Sequence, residues 1–140
     1  MQPLNLRVAI GALLLAIAAS FFTPVAADAA SPLEESEIRA LLVEAMPSWA
    51  VEPMVKIALC ESDYVPAARA FGWDKRYGWY EYRGILQVDP VYHQWRANRL
   101  FGYGASLYDP RVNAGVAAEI LHEQGWRAWP VCARRAGVLR

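Results

Sequence analysis

Ile57-Ala58-Leu59-Cys60-Glu61-Ser62-Asp63 is where an apolar helical run gives out in a single carboxylate, beside one of the chain's two cysteines. Asp63, Tyr64, Val65 and Pro66 follow and read as an exit into loop, because a residue before proline is pushed out of the helical region. Glu61 is therefore expected at the C-terminal end of a helix. That position is unfavourable for a negative charge on two counts, the helix dipole and the apolar neighbours. Both effects raise a carboxyl pKa, as a general acid working near neutral pH requires. The plain alternative is a solvated glutamate with no task, since most glutamates are exposed.

Moving outward from that stretch, the N-terminus has the order of a secretory signal peptide. Arg7 supplies a positive charge, Val8 to Phe22 is an apolar run of 15 residues, and Val25-Ala26-Ala27-Asp28-Ala29 offers a small-residue cleavage site. A spanning helix needs roughly 20 apolar residues, so an uncleaved anchor is the weaker reading. Residues 1–29 are set aside as the signal peptide, and residues 30–140 form a single domain with one core. The location implied is secreted, periplasmic or cell-envelope, with no stable membrane insertion after cleavage.

Export makes a disulfide the default for Cys60 and Cys132, with two buried free thiols as the alternative. No metal site is expected, because two cysteines and two distant histidines, His93 and His122, lack ligand spacing. The 14 basic and 14 acidic residues cancel, which argues against a dedicated nucleic-acid binder. Six Trp and seven Tyr exceed what so small a core needs, so some are expected to be exposed in a groove.

Along the domain, Ser31-Pro32-Leu33-Glu34 reads as a capping box with proline at the first helical position. Ile38, Leu41, Leu42 and Ala45 then carry a helix to about Met46, and Pro47-Ser48-Trp49 breaks it. The stripe Val51, Met54, Val55, Ala58 and Leu59 predicts a second helix from about Val51 to Glu61. No single period fits residues 63–83, which read as irregular and aromatic. Gly84-Ile85-Leu86-Gln87-Val88 is short, apolar and β-prone, and Asp89-Pro90 ends it. A third helix is expected over Val91 to Phe101. A fourth runs from Asp109-Pro110 to Gln124, stopped by Gly125. The expected fold is mainly α, a helical domain with one small β element beside a substrate cleft.

In this order the pieces resemble the lysozyme-like superfamily, closest to soluble lytic transglycosylase-type domains. The resemblance rests on Glu61-Ser62 at a helix end, Pro66, Gly84-Ile85-Leu86-Gln87-Val88-Asp89-Pro90, Leu107-Tyr108-Asp109-Pro110-Arg111-Val112-Asn113-Ala114 and a helix ending in Gly125-Trp126. It covers about residues 51–132. It implies an α+β lysozyme-like fold and cleavage of the β-1,4 bond between MurNAc and GlcNAc in peptidoglycan glycan strands. Glu61 would be general acid and then base, and Gln87 a substrate contact. No cofactor is implied, and a monomer is expected. Ser62 reads as a structural cap, and Asp109 and Asn113 as the start of the long helix.

Glycosidic cleavage needs a proton on the leaving oxygen and stabilisation of an oxocarbenium-like transition state. Glu61 can supply the first. The Gln87 amide can meet an N-acetyl group, its alternative being an edge residue facing water. Tyr82, Tyr92, Tyr108 and Trp126 are candidates for stacking on sugar rings, and equally for packing. Two departures from the family pattern stand out. The interval from Glu61 to Gly84 is several residues longer than usual and is expected to lie along the cleft. Ala70 and Arg83 stand near places where members commonly carry Ser or Asn and a Gly-rich turn. A hydrolase would need a second carboxylate, with Asp63, Asp74, Glu81 and Asp89 as candidates, whereas a transglycosylase needs none. A non-catalytic glycan-binding or inhibitor domain on the same scaffold is the competing class.

Overall fold

The computed structural model describes residues 31–140; the signal peptide expected over 1–29 lies outside them. Helix accounts for 57% of the described chain, joined by one two-stranded antiparallel sheet and one disulfide, which makes the fold mainly α. Helix α1 spans Glu35–Ala45 and α2 Ser48–Ser62. The strands β1, Arg69–Asp74, and β2, Gly78–Arg83, form a hairpin before α3, Pro90–Phe101. Helix α4, Pro110–Gln124, runs into a 3₁₀ turn over Gly125–Ala128, and α5, Pro130–Arg135, ends the fold.

Two helix starts differ from the sequence reading. Helix α1 begins after Glu34 rather than after Ser31, because Leu33 is drawn out by a hydrogen bond from its N–H to the Tyr64 carbonyl. The Glu37 carboxylate accepts from the Glu34 N–H at 2.8 Å, so the capping role falls three residues later than expected. Helix α2 begins at Ser48, directly after Pro47, and carries Pro53 within it. Pro53 has no N–H to give the Trp49 carbonyl, and the cost is limited because Trp49 is exposed at the helix start.

The Asp-Pro starts are as read. Asp89 accepts from the Val91 N–H at 2.7 Å and Asp109 from the Arg111 N–H at 2.8 Å, each ahead of a proline at the first helical position. Ile38 and Leu42 of α1, Met54, Ile57 and Ala58 of α2, and Val116, Ala117 and Ile120 of α4 share one core with Ile85, Leu86 and Trp129. Arg96 is buried on α3 and paired with Glu119 and Glu123 of α4, which locks those two helices together.

The β element is the main correction. It is the hairpin over residues 69–83, the stretch read as irregular, and not Gly84–Val88. That second segment is a turn, closed by a lone bridge between Arg83 and Val88. The hairpin register pairs Ala70 with Tyr82, Gly72 with Tyr80, Phe71 with Glu81 and Trp73 with Trp79. Directly opposed residues share a face, so Tyr80 and Tyr82 lie on one side and Phe71, Trp73 and Trp79 on the other. Aromatics on both faces erase the polar–apolar alternation that would announce a strand.

Candidate active site

Glu61 is the penultimate residue of α2, half-buried, and the chain turns sharply just beyond it. Asp63 and Tyr64 both take left-handed backbone angles, φ 51° and 62°. The remaining non-glycine residue of this kind among the described residues is Gln87, at φ 48°. Asp63 and Gln87 therefore lie within the two segments that the sequence singled out, and Tyr64 directly follows the first. Such conformations persist where surrounding contacts over-determine them.

Those contacts are visible around the Gly84–Val88 turn, which side chains from α2, from α4 and from the residue ahead of α5 hold. Ser62 at the end of α2 donates its hydroxyl to the Ile85 carbonyl at 2.9 Å and to Ala58 at 3.1 Å. Its hydroxyl is committed to backbone, which fits a structural cap and not a nucleophile. From α4, the fully buried Asn113 accepts from the Leu86 N–H at 2.9 Å and donates to the Arg83 and Leu107 carbonyls at 2.8 Å each. Trp129, ahead of α5, donates its indole N–H to the Leu86 carbonyl at 2.9 Å. Gly84 sits so close to Asn113 and the Leu107 carbonyl that a Cβ would lie 2.4 Å from each, and its φ of +77° also demands glycine.

The consequence is a fixed position for Gln87 facing the end of α2. Glu61, Gln87, Tyr82, Trp129, Cys60, Cys132 and Arg135 line one cavity of about 390 Å³. A second lobe of about 170 Å³ shares Tyr82, Gln87, Ala128 and Trp129 with the first and continues past Asp89 and His93 to Gln124. The two lobes make one cleft. Its wall at Glu61 includes the Cys60–Cys132 disulfide, whose formation leaves no free cysteine among the described residues. The bond ties α5, and with it Val131 and Arg135, against the end of α2.

The electrostatics follow from this placement. Burial pushes the Glu61 carboxyl above its ordinary range, and the Arg135 guanidinium across the cavity partly offsets that. Tyr82 is pushed up to about 12, first by its hydrogen bond with the Tyr80 hydroxyl at 3.1 Å and then by burial. The charges of Asp89 and Glu61 act in the same direction, so the Tyr82 hydroxyl stays protonated between them. Burial lowers His93, which accepts from Arg96 through Nδ1 at 3.2 Å and carries no serine partner. Gln87 donates to the Gly84 carbonyl at 2.9 Å, and its buried Oε1 has no partner among the described residues.

Of the residues named from sequence, the fold brings Glu61, Gln87 and Tyr82 into the cleft with both cysteines. Tyr92, Tyr108 and Trp126 line neither lobe. Tyr92 packs edge-on against Tyr77 of the hairpin turn, with ring centres 5.2 Å apart. Tyr108 donates to Glu81 at 3.2 Å and lies under the Arg83 guanidinium. Trp126 packs edge-on against Trp49. The long interval between Glu61 and Gly84 reaches the cleft through Ala70 and Tyr82 alone, its other aromatic face being turned away. Of the four candidate second carboxylates, none lines the Glu61 lobe: Asp63 is exposed, Asp74 accepts from the Arg76 and Tyr77 N–H groups, Glu81 pairs with Arg83, and Asp89 lies in the second lobe.

Trp129, Arg135 and the Asn113 clamp were not singled out as site residues. Trp129 stood close to Cys132, and the disulfide is the signal that would have drawn it toward Glu61. Among the described residues no cluster of His, Cys, Asp and Glu could hold a metal ion, and no helix is long and apolar enough to cross a membrane. Comparison with family models, curated proteins and solved structures finds no match to this chain.

Proposed function

We propose that this protein is a peptidoglycan-cleaving enzyme of lysozyme-like type, acting as a lytic transglycosylase on the β-1,4 bond between MurNAc and GlcNAc. One observation carries the reading. Glu61 is a half-buried carboxyl with a raised pKa, and it is the sole carboxylate among the described residues lining its lobe of the cleft. A retaining hydrolase needs a second carboxylate about 5 Å away and an inverting one roughly 6.5–9.5 Å away, across the sugar ring. A transglycosylase needs one group to serve twice. Glu61 gives its proton to the leaving glycosidic oxygen. As a carboxylate it then takes the proton of the muramyl 6-hydroxyl while that oxygen closes on the anomeric carbon, giving a 1,6-anhydro ring.

Gln87 lines the same lobe as Glu61, and its buried Oε1, unpaired among the described residues, would gain a partner if the side chain turned outward to meet an N-acetyl N–H. Tyr82, half-buried at the junction of the two lobes, is the aromatic side chain placed to meet sugar C–H groups, with the buried Trp129 packed behind the wall. Secretion to the cell envelope accords with such a substrate.

Digestion of purified peptidoglycan, with product masses read by mass spectrometry, tests the proposal. Anhydromuramic ends from the wild type and none from Glu61→Gln are expected. Reducing-end muramic acid would instead identify a hydrolase and direct attention to Asp89. If wild type and E61Q both sediment with the wall and neither cleaves it, the domain is a glycan binder.

A further inference from the structure

The hairpin carries a feature that the cleft does not use. Phe71, Trp73 and Trp79 share its outer face and are 65%, 58% and 75% exposed. At ~150–250 Å² per aromatic side chain, their exposed area sums to roughly 400 Å². The largest apolar patch of a typical monomer is about 300–600 Å² and is often functional. Here it sits on a projecting two-stranded ribbon, whose packing against the rest of the fold is chiefly on α3.

Charge selects the partner. Lys75 and Arg76 occupy the turn at the ribbon's tip, and neither makes an ion pair among the described residues. The nearby acids are already engaged: Asp74 accepts from the turn's own N–H groups, and Glu81 is paired with Arg83 and Tyr108. Three aromatic side chains beside two cations that make no ion pair among the described residues match the interfacial region of a bilayer. Aromatic rings settle there at headgroup level, and basic side chains meet anionic lipid. A glycan strand fits this face less well, because the face lines neither lobe of the cleft and its Glu81 is already committed.

We propose that the outer face of the β1–β2 hairpin, with Phe71, Trp73 and Trp79 above Lys75 and Arg76, docks on the surface of an anionic lipid bilayer. This contact is independent of the cleft chemistry, so Glu61→Gln should bind lipid as the wild type does. The probe is co-sedimentation of the exported protein with phosphatidylglycerol–phosphatidylethanolamine vesicles, against phosphatidylcholine vesicles alone. Binding to the anionic vesicles only, and release by high salt, are expected. At ~1 kcal/mol for each basic residue near an anionic surface, Lys75→Ala with Arg76→Ala should weaken binding about 30-fold. Phe71→Ser with Trp73→Ser and Trp79→Ser should abolish it while circular dichroism stays unchanged. If that triple variant misfolds, the two alanine changes at the exposed tip carry the test alone.

Wild-type protein left in the supernatant would overturn the proposal, as would variants that bind like the wild type. A concentration-dependent dimer lost with the tryptophans, without vesicle binding, would make the occupant a second copy. Retention on insoluble glycan lost with the tryptophans, again without vesicle binding, would make it sugar. Either result overturns the lipid assignment.

Discussion

Asn113→Ala is the sharpest probe of how the cleft is built. The side chain is fully buried and makes three hydrogen bonds to backbone groups of residues 83–86 and 107. The Arg83 carbonyl also accepts from the Val88 N–H, so its loss of Asn113 is covered. The Leu86 N–H and the Leu107 carbonyl have no second partner among the described residues and would be orphaned. At ~1–3 kcal/mol for each buried unpaired group, with a small cavity added, the cost comes to roughly 4 kcal/mol. Against a typical domain stability of ~5–15 kcal/mol that is a large fraction, and it corresponds to a fall of roughly 15 °C or more in Tm.

Urea unfolding followed by circular dichroism measures the loss. Hydrogen exchange at the Leu86 amide locates it, since that amide should be protected in the wild type and exposed in the variant. Asn113→Asp keeps the acceptor for Leu86 but sets a carboxylate against two carbonyl oxygens. It should therefore be worse than alanine near neutral pH and partly recover in acid, where a protonated carboxyl can donate. A cost below ~1 kcal/mol for N113A, with Leu86 still protected, would refute the clamp and leave Ser62 and Trp129 as the true supports.

Two further outcomes follow from the same geometry. Replacing Cys60 and Cys132 by serine opens a loop closed across 72 residues and should cost roughly 4 kcal/mol in the chain-entropy account, read as a drop in the urea midpoint; an unchanged midpoint would mean that α5 is held by packing alone. Glu61→Gln should raise stability near neutral pH and leave it unchanged in acid. Burial raises this carboxyl in the fold, so its protonated form contributes stability that is complete below the unfolded value of about 4.3 and is lost as pH rises through the higher folded value. The neutral amide removes that loss. Thermal melts of both proteins across pH check the sign, and a variant less stable than wild type at neutral pH would contradict a desolvated Glu61.

How far the sequence could be read depended on how local each signal was. Asp89-Pro90 and Asp109-Pro110 start their helices through hydrogen bonds to N–H groups two or three residues on, so no distant partner enters. The end of α2 at Glu61-Ser62 was equally legible, because the apolar stripe stops there and Pro66 follows. The Cys60–Cys132 pairing followed from the count of two cysteines together with the expected export of the chain. Where a cap competed with a tertiary contact, the local reading failed: Ser31 begins nothing, because Leu33 is bonded to Tyr64.

Glu61 is badly placed for a charge, and its chain position alone shows that. Which side chains face it was decided by packing. The hairpin register turns Tyr82 toward the cleft and Trp73 and Trp79 away, and a shift of one residue would reverse both. Gln87 faces Glu61 because Ser62, Asn113 and Trp129, far apart in sequence, converge on one five-residue turn. The sequence determined the bodies of the four long helices, the disulfide and the place of Glu61 at a helix end, since each rests on neighbours along the chain or on the one pair of cysteines. The tertiary structure decided the cleft, because its walls come from segments whose contacts exist only once the core has closed.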